Sequence, residues 1–119
     1  MVTLKQLVCD ALSGACARVV YGRPACFRQY PLLCWRESLN RCFAQAEGKE
    51  YLTEVNYTLD IFAASPESAG EIAARADARM RDAGFRRDGA CELFETDRQI
   101  AHVNLRYRAL ADINGGVWQ

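Results

Sequence analysis

Six cysteines and one histidine are the side chains of this 119-residue chain with the most chemistry available to them. The cysteines stand at Cys9, Cys16, Cys26, Cys34, Cys42 and Cys91, and the histidine is His102. A zinc knuckle or a thioredoxin-like redox site uses two thiols in C-x-x-C spacing, so that both reach one ion or each other. No pair here has that spacing, and His102 alone does not complete a Cys/His ligand set. Nucleophilic catalysis needs a Cys or Ser beside a base that a third group orients. His102 falls on the polar side of an alternating segment, with no orienting partner legible in the sequence. The carboxylate pairs Glu67 with Glu71 and Glu92 with Glu95 occupy helix and turn positions where solvated charge is expected. A phosphate-cradling loop opens a helix, whereas Asn114-Gly115-Gly116 is followed by none. The expectation is a protein that is not an enzyme, with no catalytic residue, no cofactor and no metal.

The cysteines have a plainer reading. An even number in a short chain admits a disulfide framework. Against it, Met1-Val2-Thr3-Leu4-Lys5 is not followed by the apolar run of a secretion signal. The expectation is reduced thiols, most of them small buried hydrophobes in a reducing compartment. The 15 basic and 15 acidic residues cancel, leaving no basic excess for phosphate contacts. Sequence-specific nucleic-acid binding is therefore not expected. Apolar runs such as Leu32-Leu33-Cys34-Trp35 fall far short of the ~20 residues of a membrane span, so no membrane partner is expected either. Residues 1–119 read as a single domain, with 50% apolar and 25% charged residues.

Arginine is unevenly placed. Arg75, Arg79, Arg81, Arg86, Arg87, Arg98, Arg106 and Arg108 all lie in the second half. A solvated helix face would look the same. The functional alternative is an electrostatic seam against an acidic partner, because arginine pairs with carboxylates in fixed bidentate geometry. Trp118, one position from the last residue, is either tucked into its own domain or offered to a neighbour. Arg75, Arg79, Arg106, Arg108 and Trp118 are the candidate interface residues.

These residues must be held by secondary structure, and the periodicity indicates which. Thr3 and Gln6 form a T-x-x-Q capping box, with Val2 and Leu7 placed as a hydrophobic staple. Leu4, Leu7, Val8, Ala11 and Leu12 make the stripe of a first helix that stops at Gly14. Val19-Val20-Tyr21 reads as a short strand ended by Gly22-Arg23-Pro24. Tyr30–Glu37 reads as a strand with Pro31 near its start. Ser38–Lys49 reads as a connecting loop, with helix over Ser38–Ala46 as the alternative. Tyr51–Ala63 alternates, placing Tyr51, Val55, Tyr57, Leu59, Ile61 and Ala63 on one face and Glu54, Asn56, Thr58 and Asp60 on the other.

The second helix is better marked. Ser65 caps it, Pro66 opens it and Gly84 ends it, with Phe85 folding back. Ala69, Ile72, Ala73, Ala76, Met80 and Ala83 form its apolar stripe, and Glu71 with Arg75 an exposed pair. Asp88-Gly89 reads as a turn before a strand at Cys91–Glu95, and Glu95-Thr96-Asp97 as another. In the last strand Ala101, Val103, Leu105, Tyr107 and Ala109 oppose His102, Asn104, Arg106 and Arg108. Val117-Trp118-Gln119 hangs beyond Asn114-Gly115-Gly116. The class is α+β, a mainly antiparallel sheet with helices packed on one face, in the order α-β-β-β-α-β-β.

Several segments, taken in order, resemble the tail-terminator and tail-completion (head-tail joining) proteins of long-tailed bacteriophages and prophages. They are Tyr30-Pro31 with the apolar Leu32–Trp35; the long strand ending Asp60-Ile61-Phe62-Ala63; and Met80 followed by Gly84-Phe85. Arg106-Tyr107 in the closing strand and the Gly116-Val117-Trp118-Gln119 ending are similar too. The resemblance covers the chain from about Leu4 onward, apart from its many cysteines and the stretch Ser38–Gly48. It implies a structural virion protein, made in the bacterial cytoplasm and found at the head-proximal end of the tail. There it would form a homo-oligomeric ring, a hexamer, between the tail tube protein and the head-tail connector protein. It carries no catalytic residues. A second expectation, of a different class, is a small ligand-binding regulatory domain on a ferredoxin-like sheet.

Overall fold

The computed structural model describes residues 1–22, 29–95 and 99–119, with Phe94 and Glu95 traced by their backbone. Among these residues two helices and six strands follow in the order α1 (Lys5–Leu12), β1 (Val19–Tyr21), β2 (Leu32–Ala46), β3 (Lys49–Ala63), α2 (Pro66–Asp82), β4 (Arg86–Glu95), β5 (Ile100–Asp112) and β6 (Val117–Trp118). The fold is α+β. One sheet runs β1-β2-β3-β5-β4, with β6 added beside the far end of β5. Every pairing is antiparallel except that of β1 with β2.

Local chemistry accounts for α2. Ser65 is extended and its hydroxyl accepts the Ser68 amide at 3.2 Å, while Pro66 spends no donor at the first helical position. At the other end Gly84 takes φ 103°, and the Phe85 and Gly84 amides return to the Met80 and Arg81 carbonyls at 3.1 and 3.0 Å. That pair of hydrogen bonds is the Schellman stop, and it turns Phe85 into the core beneath the helix. Ala69, Ile72, Ala76 and Met80 are buried along one stripe. They pack with Leu4, which precedes α1, and with Val8 and Leu12 of α1 onto Tyr57, Leu59 and Ile61 of β3 and Val103, Leu105 and Tyr107 of β5.

The long β2–β3 hairpin is where sequence periodicity misleads. The expected loop at Ser38–Lys49 is the outer half of β2, closed by a two-residue turn at Glu47 (φ 53°) and Gly48 (φ 76°). Two successive positive φ values match the right-handed twist of the flanking strands. Its residues show no apolar alternation because this half projects past the body as an arm, in a molecule 53 Å long and 25 by 20 Å across. For the same reason Tyr51, expected on the buried face, is 42% exposed: β5 pairs with β3 only from Leu52 inward.

Other departures are smaller. Thr3 does not cap α1, whose N-cap is Leu4; its hydroxyl donates instead to Glu37 Oε1 at 2.7 Å, which ties the residue to β2 rather than to the helix start. Asp88-Gly89 is a bulge inside a continuous β4 rather than a turn. Val117-Trp118 is a strand, not a free tail. Cys16 and Cys34 are buried, but Cys9, Cys42 and Cys91 are exposed, so fewer cysteines serve as core than expected; the five are free thiols. Arg75 bonds a backbone carbonyl instead of Glu71. The polar side of β3 is itself covered, with Glu54 and Thr58 buried. Cys26, Arg98, the Arg23-Pro24 strand end and the Thr96-Asp97 turn lie outside the described residues.

Candidate functional site

The five candidate interface residues divide into three places. Arg75 Nη1 donates to the Ala15 carbonyl at 2.9 Å, and Arg79 Nη1 donates to the carbonyls of Ser13 and, at 3.5 Å, Ala11. The last carbonyls of a helix have no partner of their own and carry the negative end of its dipole. Arg79 supplies such a donor at the end of α1, Arg75 ties down the Ala15 carbonyl just beyond it, and together they fasten this corner to α2. They are structural ties on the helical side.

Arg106 and Arg108 lie on the opposite face of the sheet. Arg108 Nε sits 3.5 Å from Glu54 Oε1, and Arg41 Nε sits 3.0 Å from the other oxygen, so a buried carboxylate is held between two guanidinium groups. Arg106 is exposed and crosses above Gly89, where an added Cβ would come within 2.8 Å of its Nη2. Trp118 is 58% exposed at the β6 edge, with its indole nitrogen donating to Asp112 Oδ2 at 3.0 Å. Asp112 Oδ1 accepts the amides of Asn114 and Gly116 at 2.8 and 2.7 Å. The Trp118 bond first, then the Gly116 amide, holds this carboxyl below the usual range. This network is what turns the Asn114-Gly115-Gly116 segment back onto β5.

On the same face the structure supplies the partner for His102 that the sequence did not reveal. His102 Nε2 lies 2.7 Å from Asp60 Oδ1, which also accepts from Asn104 Nδ2 at 2.9 Å. The ring stacks on Phe62 with centroids 4.3 Å apart. Asp60 orients the imidazole as an acid–base pair requires. The cross-strand neighbour of Asp60 is Cys34, whose thiol burial, and then the Asp60 charge, pushes up to about 11. A nucleophilic cysteine needs the opposite shift. Among the described residues no group of three His, Cys, Asp or Glu side chains is placed to hold a metal ion.

Two further networks were invisible in the sequence. The N-terminal segment is clamped to the β2–β3 hairpin: the Met1 amine lies 2.8 Å from Glu50 Oε2, and the Leu4 amide donates to the Tyr57 hydroxyl at 2.9 Å. At the end of α2, Asp77 Oδ2 takes Arg87 at 3.1 Å and Arg81 at 3.8 Å. Beside them a hollow of about 670 Å³ is lined by Arg81, Asp82, Phe85, Arg86, Arg87 and Gln119. No protein-family model matches this chain, and no curated protein matches it either.

Proposed function

We propose that this chain is a structural subunit of a long-tailed bacteriophage or prophage, a tail terminator. It closes the tail tube and joins it to the head-side connector as a ring of identical copies. The carrying observation is that the segments similar to that family are successive parts of one sheet-and-helix unit. Tyr30-Pro31 leads into β2, Tyr51–Ala63 lies in β3, and Met80–Phe85 is the stop of α2. Arg106-Tyr107 lies in β5, and Val117-Trp118 is β6. A tube has rotational symmetry, and head-to-tail contacts between identical subunits close into a ring when the rotation matches.

The experiment is electron microscopy of assembled tails mixed with the protein. Single rings at the head-proximal tube end support the reading. A monomer that ignores tubes and binds a small molecule instead overturns it, and would favour a ligand-binding domain.

A further inference from the structure

Among the described residues the sheet has two open edges at its opposite ends. One is the outer side of β1, continued by β2 beyond Trp35, since β1 pairs only with Leu33–Trp35. The other is the outer side of β4, which among the described residues pairs with β5 alone. Unpaired amides and carbonyls along an edge invite another strand, and soluble proteins commonly deter this with lysine or proline. Neither residue occurs in Val19–Tyr21, in positions 36–46 of β2 or in β4. The β4 bulge falls at its Arg86–Gly89 end, leaving a regular strand from Gly89 onward. Each edge also exposes a large apolar side chain, Tyr21 at 53% and Leu93 at 50%.

The register makes the edges complementary. One row across the sheet is Val20–Cys34–Asp60–Asn104–Cys91, and the next in line is Tyr21–Trp35–Leu59–Leu105–Ala90. The row Glu37–Tyr57–Tyr107–Arg87 has a carboxylate toward one edge and a guanidinium at the other. The chain of pairings makes β1 and β4 run in opposite directions. Rotation about an axis along the strands preserves direction, so β4 of one copy meets β1 of the next antiparallel.

We infer that the partner of these edges is a second copy of this chain, with β4 adding to the β1–β2 edge of the next subunit so that the sheets continue from copy to copy. Cys91 then stands opposite Val20 of the neighbour, Ala90 opposite Tyr21, and Arg87 is brought toward Glu37 beyond the end of β1. The contact is heterologous, so it propagates around a ring. This inference rests on the ring reading and names its interface.

The test is a disulfide between copies. With Cys9, Cys26 and Cys42 changed to serine and Cys34, the in-chain neighbour of Val20, to alanine, Val20→Cys is offered to the native Cys91 under mild oxidation at high protein concentration. Tyr21→Cys with Ala90→Cys, both at exposed positions, provides a second pair in case Val20→Cys disturbs packing. The expected result on a non-reducing gel is a ladder ending at a single closed size, with at least a tenfold loss of product for Leu93→Asp. Rings seen by native mass spectrometry without either cross-link overturn the edge contact and leave the ring reading standing. A cross-linked ladder that grows into open fibres keeps the edge contact and overturns the ring. Monomers that never cross-link overturn both.

Discussion

The hydroxyl of Tyr107 donates to Asp77 Oδ1 at 2.7 Å, joining the middle of β5 to the half-buried flank of α2. Tyr107 is fully buried, and the second oxygen of Asp77 engages Arg87 from β4. One carboxylate therefore ties a helix to two neighbouring strands. Burial first, and then Asp77, raises the Tyr107 phenol above its ordinary range, so it stays a donor at any physiological pH.

Tyr107→Phe keeps the ring and deletes that donor. It is expected to lower unfolding stability by about 1–3 kcal/mol, the cost of leaving a partly buried acceptor short of a partner. Urea denaturation of the variant checks it; an unchanged midpoint would mean Asp77 is fully served by its arginines.

Ile72 supplies much of the apolar bulk of α2, between Ala69 and Ala76. Ile72→Ala is expected to cost about 2–5 kcal/mol, and Met80→Ala a similar amount. A loss under about half a kilocalorie in either would place that side of the helix toward solvent.

Thiol labelling separates the cysteines. Cys9, Cys42 and Cys91 should react quickly in the native protein, and Cys16 and Cys34 only after unfolding. The Cys34 pKa is raised from 9.0 to about 11 on folding, so between these values the folded state binds more protons than the unfolded one. Its contribution is present below pH ~9 and lost as pH rises toward 11. Cys34→Ser should flatten that part of the stability profile; rapid native labelling of Cys34 would contradict its burial.

Charge reversal distinguishes the arginines. Arg79→Glu should reduce stability by about 1–2 kcal/mol, because it removes donors from the carbonyls at the end of α1 and puts a negative charge there. Arg106→Glu, on an exposed side chain, should change stability by less than about half a kilocalorie. A loss of ring assembly in Arg106→Glu with unchanged melting would then report on contacts between molecules.

The chain by itself determined the features whose partners are near in sequence. Ser65 and Gly84 bound α2 through bonds spanning three to five residues, and the alternation of β3 and β5 already told their core faces apart. Tertiary structure alone decided the rest. Residues 38–46 form a strand only because Lys49–Asn56 returns beside them, and Val117-Trp118 only because Asp112 turns the chain back. Asp60 finds His102 through an inter-strand register, and Arg75 finds the Ala15 carbonyl across 60 positions. Local hydrogen bonds and periodicity are written in residue order, whereas a register or a side-chain tie depends on which distant backbone folding brings alongside.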